Sequence, residues 1–122
     1  MNIAIFASGN GSNFQAIANA VKKGRIKARI SLLVCDKPGA YVLKRAKKYG
    51  AEVLLIEKKN FSDKECYEKA IVSRLKEKNI CLIVLAGYMK LAGPDILKAY
   101  EGRIMNIHPA LLPAFKGSEG IK

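Results

Sequence analysis

The chain has 122 residues and a mass of 13.4 kDa, enough for one compact domain. Half the residues are apolar and 26% are charged, which excludes a disordered polymer, and Lys and Arg total 22 against 10 Asp and Glu for a net charge of +12. Cys35, Cys66 and Cys81 lack CxxC spacing, His108 is the only histidine, no apolar run approaches a membrane span, and Met1–Phe6 lacks the layout of a signal peptide, so we expect no disulfide framework, metal centre or membrane contact and a cytoplasmic location with reduced thiols.

Short apolar runs alternate with amphipathic stretches. Asn2–Ala7 is an apolar run ending in a Ser/Gly/Asn cluster and predicts a buried strand. In Ser12–Lys23, Phe14, Ile17, Ala18 and Val21 recur at the spacing of one helical face. Arg29–Cys35 predicts a second strand, Tyr41–Tyr49 a helix stopped by Gly50, and Val53–Ile56 a third strand. Ser62–Lys78 is the longest predicted helix, with Tyr67, Ala70, Ile71 and Leu75 on one face and charges on the other. Ser62 is its expected N-cap, completing a capping box with Glu65. Ile80–Ala86 predicts a fourth strand, Pro94–Tyr100 a helix with proline at its start, and Arg103–Ile107 a fifth strand.

Strands and helices in strict alternation predict an α/β fold: a Rossmann-like parallel sheet with helices on both faces and right-handed crossovers. Ligands of such folds bind at the carboxyl ends of the strands. That directs attention to the loops Ser8–Asn13, Gly87–Gly93 and Asn106–Gly117. The positive charge favours an anionic ligand. Lys22, Lys23, Lys44, Lys47, Lys48, Lys58, Lys59, Lys76 and Lys78 fall mostly on predicted helix faces, where solvation alone accounts for them. No basic patch interleaves with aromatics, so no nucleic-acid partner is expected.

Ser8-Gly-Asn-Gly-Ser-Asn13 runs from a strand straight into a helix. Its glycines permit positive φ, Ser12 and Asn13 are expected to cap the helix, and first-turn N–H groups with the helix dipole suit one phosphate. A dinucleotide loop also remains open: Gly9 and Gly11 fit its pattern and Asp36 ends strand two, although Phe14 replaces the third glycine. A tight turn with no ligand is the simplest alternative.

Asn106-Ile-His-Pro-Ala-Leu-Leu-Pro113 follows strand five. Alternation puts Asn106 and His108 on one side of the strand, where an amide and an imidazole can hold a carbonyl oxygen that turns negative during acyl transfer. A structural histidine is the alternative. No Ser–His–Asp or Cys–His nucleophile arrangement is readable, which favours direct transfer.

These segments, with Met1-Asn-Ile and Leu85-Ala-Gly-Tyr-Met-Lys90, closely resemble the phosphoribosylglycinamide formyltransferases, the folate-dependent glycinamide ribonucleotide transformylases. The resemblance implies a formyl transfer from 10-formyltetrahydrofolate to the amino group of glycinamide ribonucleotide in purine biosynthesis, without a metal. It implies that Gly11, Ser12 and Asn13 hold the ribonucleotide phosphate and that Met89, Lys90, Leu91 and Ala92 line the folate site. It assigns Asn106 and His108 as the catalytic pair, with Asn106 also at the folate. Lys64 stands where the family has a folate-contacting arginine, and Lys90 where an arginine is often found, which keeps charge but loses the bidentate fork. The family's aspartate that raises the protonated fraction of the histidine belongs to a later segment, and Asp36 and Glu119 are the nearest acidic substitutes here. The chain is therefore expected to be the amino-terminal, incomplete part of a single formyltransferase-type domain, weakly active or inactive alone, as a monomer or homodimer. Two alternatives come from the same motifs: another formyl-folate enzyme, such as a formyltetrahydrofolate hydrolase or a methionyl-tRNA formyltransferase, and a non-catalytic phosphate-binding module.

Overall fold

Five strands form one parallel sheet in a computed structural model that describes residues 1–86 and 93–107. The strands are β1 (Asn2–Phe6), β2 (Arg29–Cys35), β3 (Glu52–Leu55), β4 (Leu82–Ala86) and β5 (Ile104–Ile107), in the spatial order β3-β2-β1-β4-β5. Between them lie α1 (Ser12–Lys22), α2 (Val42–Tyr49), α3 (Lys64–Glu77) and α4 (Pro94–Ala99), with a 3-10 turn at Lys58–Asn60. The chain winds outward from β1 to β3, then restarts on the other side of β1 with β4. The reversal places a crevice between the carboxyl ends of β1 and β4.

The strands are apolar on both faces because both are covered. On one face Ile3, Ile5, Ile30 and Leu33 pack against Phe14, Ile17 and Ala18 of α1 and Val42 and Ala46 of α2. On the other, Ala4, Phe6, Leu32, Val34, Ile83 and Leu85 pack against Tyr67, Ile71 and Leu75 of α3 and Ile96 and Tyr100 at α4. The buried Tyr100 hydroxyl donates to the Ile80 carbonyl at 3.0 Å. Among the described residues, no helix is long and apolar enough to cross a membrane.

Two local expectations are corrected. The N-cap of α3 is Asp63, not Ser62: its carboxylate accepts the Cys66 N–H at 2.8 Å. An ionised carboxylate is a stronger acceptor for a helix N-terminus than a hydroxyl, so the helix starts at Lys64. Glu68 does not join the charged outer face of α3. It is 1% exposed, because α4 arrives on top of it.

Candidate functional site

Each helix follows a parallel strand, so all four helix N-termini face the carboxyl edge of the sheet. Three are already occupied by partners from within the fold. Asp63 caps α3. Glu68 caps α4, its Oε1 accepting the N–H groups of Asp95 at 2.9 Å and Ile96 at 3.3 Å. The first N–H of α2, from Val42, donates to the Gly9 carbonyl at 3.1 Å. The remaining one, α1, has no side-chain cap and no acidic residue in its first turn. Among the described residues nothing closes its first-turn N–H groups and positive dipole end, which suit an anion.

The expected capping by Ser12 and Asn13 is therefore not what is found: the N-cap is Gly11, at φ 86°. Gly11 turns the chain into the helix in the left-handed region, which glycine adopts without a Cβ penalty. A Cβ there would also lie 2.5 Å from Val42 Cγ2. The Ser12 side chain is consequently exposed. Asn13 is 5% exposed, and its Oδ1 has no hydrogen-bond partner among the described residues. That oxygen is left unpaired at the loop among the described residues.

Asn106 lies on β5 and is exposed. Register carries it across the sheet: Asn106 pairs with Leu85, and Leu85 with Phe6, two residues before Ser8. Asn106 is thus two strand spacings, about 10 Å, from the end of β1. The sheet brings Asn106 and the glycine loop to one edge.

Lys64 opens α3, on the opposite face of the sheet from α1. Its ammonium is 3.9 Å from Glu68 Oε2 and its side chain is 52% exposed, so it is loosely paired and reachable. It lines a cleft of about 340 Å³ with Glu65, Glu68, Pro94 and Asp95. Met89, Lys90, Leu91, Ala92 and His108 lie outside the described residues, as do Pro109 and Pro113. Asp36, at the end of β2, has a buried Oδ1 without a partner among the described residues.

Two residues escaped the sequence reading. Arg45 on α2 donates to the Asn10 carbonyl at 2.9 Å, to Asn10 Oδ1 at 3.0 Å and to Gln15 Oε1 at 3.3 Å. Gly93 lies against the Glu68 carboxylate, which fills the space a Cβ would need. Neither carries a signal in the sequence: Arg45 stands in a run of basic residues, and Gly93 reads as an ordinary loop glycine.

The formyl transferase family profile matches residues 1–122. The chain is 48% identical to the phosphoribosylglycinamide formyltransferase of Bacillus subtilis over 118 residues, covering 97% of this chain and 60% of that one. It is 36% identical to the enzyme of that name from Escherichia coli, covering 96% of this chain and 55% of the other. Among solved structures, glycinamide ribonucleotide transformylase 1 from Geobacillus kaustophilus is 50% identical with a TM-score of 0.85, over 98% of this chain and 64% of that one. The chain thus spans about 60% of the length of these relatives. The profile covers the full sequence, and the fold agrees with it: the chain belongs to the formyl transferase family.

Proposed function

We propose that this chain carries the ribonucleotide-binding part and the Asn106/His108 pair of a phosphoribosylglycinamide formyltransferase, which moves a formyl group from 10-formyltetrahydrofolate to the amino group of glycinamide ribonucleotide in purine biosynthesis. The observation that carries this reading is the open N-terminus of α1. Of four helix ends at the ligand-binding edge, it is the one without a side-chain or main-chain partner from elsewhere among the described residues. A phosphate at Gly11, Ser12 and Asn13 completes it. The names of the relatives support the same substrate, and the alternatives draw no support from them.

The chemistry follows from the residue types. The substrate amine attacks the formyl carbon, and the carbonyl oxygen becomes a tetrahedral oxyanion. Asn106 donates a hydrogen bond to that oxygen from the exposed end of β5. Protonated His108 adds charge stabilisation and hands a proton to the departing folate nitrogen as the carbon–nitrogen bond breaks. Met89, Leu91 and Ala92 offer apolar contact to the flat pterin. Lys64 and Lys90 offer cations to the folate carboxylates, Lys64 from a position where Glu68 holds it only loosely. No covalent enzyme intermediate is required.

The test is calorimetric titration with glycinamide ribonucleotide, beside Asn13→Asp. The new carboxylate lies at the helix N-terminus where the phosphate is read to sit, and it repels a second anion. Binding by the wild type and loss in Asn13→Asp supports the reading. Equal binding by both removes the phosphate site. A formyl-transfer assay then follows: His108→Ala that retains binding but loses turnover supports the assigned chemistry, and unchanged turnover sinks it.

A further inference from the structure

We infer that Arg45 is a positioning residue for anion binding: its guanidinium fork holds Asn10, and through Asn10 fixes the glycine loop in the form that opens α1 to a phosphate. The inference rests on the phosphate reading above and adds a residue that acts on the site from another helix.

The bland account of a helix cation is solvation, and it fits the neighbours of Arg45. Lys44, Lys47 and Lys48 are exposed on the same helix. Arg45 differs in two respects: it is half-buried, and it makes three hydrogen bonds outside its own helix, whereas the Tyr41 ring is shared, with the Arg45 guanidinium 4.9 Å and the Lys44 ammonium 5.8 Å from its centre. Two of these grip one residue by both its ends: Nε donates to the Asn10 carbonyl and one terminal nitrogen to Asn10 Oδ1. Asn10 is the one residue of Gly9-Asn-Gly11 with a side chain, so it is the one side-chain handle by which this loop can be held.

The neighbouring contacts complete the grip. The Val42 N–H donates to the Gly9 carbonyl, and the Val42 side chain fills the space beside Gly11. The third Arg45 bond reaches Gln15, whose amide donates to Asn19 at 3.0 Å. The beginning of α2 therefore holds residues 9, 10 and 11 and ties them to the first turns of α1. The direction of the N–H groups of Ser12 and Asn13 relative to the loop depends on that tie. A lysine at 45 keeps the positive charge but not the fork, since an ammonium is a point donor on a flexible stem.

The experiment titrates the 122-residue chain with glycinamide ribonucleotide and, separately, with 10-formyltetrahydrofolate, for wild type, Arg45→Gln and Arg45→Lys. Amide hydrogen exchange at residues 10–12 is followed without ligand. We expect both variants to bind the ribonucleotide about tenfold more weakly, the loss of a charge-assisted hydrogen bond, with folate affinity within about twofold and faster exchange at the loop. Rescue of ribonucleotide affinity by Arg45→Lys shows a role for charge alone and overturns the inference. Equal losses for both ligands show a general structural role and overturn it too, as does unchanged exchange. If the wild type binds the ribonucleotide and the variants match it, only this inference falls. If the wild type does not bind it, the phosphate reading falls and takes this one with it.

Discussion

Gly93 and Glu68 make a steric pair whose energetics can be worked out before measurement. The Glu68 carboxylate is buried, caps α4 through the Asp95 and Ile96 N–H groups, and occupies the space beside Gly93. Glu68→Ala orphans two N–H groups. The shorter bond counts for about 2 kcal/mol and the longer for about 1, as bonds to a charged acceptor, so the loss is about 3 kcal/mol. Gly93→Ala forces the carboxylate off the helix end and costs about the same, since the cap goes with it. The Gly93 backbone, at φ −82°, is one that alanine adopts freely, so its cost is steric alone. In the Glu68→Ala background the new methyl enters vacated space and adds nothing. The double variant is then about 3 kcal/mol down, not about 6, which is a coupling of about 3 kcal/mol. Urea unfolding followed by far-ultraviolet circular dichroism measures it. With a slope of about 1.5 kcal/mol/M, each single variant and the double lose about 2 M in midpoint. Glu68→Gln keeps one acceptor and is expected to lose about 1 kcal/mol or less. Additivity of the two single losses to within about 0.5 kcal/mol refutes the reasoning.

Gly11→Ala places a methyl at φ 86° within 2.5 Å of Val42 Cγ2, so we expect about 3 kcal/mol of lost stability and no ribonucleotide binding by calorimetry. Tyr100→Phe removes the buried bond to the Ile80 carbonyl and is expected to cost about 1 kcal/mol in urea unfolding. Hydrogen bonds from Lys78 and Arg74 hold the Glu52 carboxyl below its ordinary value of 4.5, and the Cys66 N–H holds Asp63 below 3.8. A depressed acid contributes stability above its unfolded value and loses it as pH falls through the folded one. Urea midpoints should thus decline below about pH 4.5, less steeply in a Glu52→Gln/Asp63→Asn double variant. Ten of the 22 cations but one acid, Asp36, lie in residues 1–51, so ribonucleotide association measured by stopped flow should slow with salt. Lys44→Gln/Lys47→Gln/Lys48→Gln should flatten that dependence without changing the dissociation rate.

The sequence disclosed what depends on neighbours in the chain. Apolar runs such as Ile30–Cys35 and the 3.6-residue spacing of Phe14, Ile17 and Ala18 are local signals, and both became buried elements as expected. The glycine loop was legible for the same reason, since strand, loop and helix are consecutive. What the sequence hid depends on partners far along the chain. Lys-Glu-Cys-Tyr-Glu at the start of α3 contains two glutamates with the same chemistry. Glu65 stays outside, paired with Lys69 at 2.6 Å, while Glu68 goes inside because α4 presents bare N–H groups to it from 27 residues away. Arg45 was hidden in the same way: its partner Asn10 is 35 residues away, and nothing in a basic run marks which member turns inward. Ser62 and Asp63 competed over one turn, and the anion won for an electrostatic reason that a cap preference table does not rank.

The position of the candidate site follows from how the fold treats its helix ends. A parallel sheet with a helix after each strand aims every helix N-terminus at one edge, and each carries partial positive charge and unpaired N–H groups. Leaving such ends bare inside a protein is costly, so most are closed from within: Asp63 closes α3, Glu68 closes α4, and the Gly9 carbonyl takes the first N–H of α2. The same α2 contact that uses Gly9 as an acceptor also pins the loop that leaves α1 uncapped. One arrangement thus closes one helix end and keeps its neighbour open. Among the described residues the remaining end has no such partner, and the chain around it carries most of the net positive charge, which is why an external anion is proposed there. The proposed binding position is therefore a consequence of which helix end has no partner among the described residues.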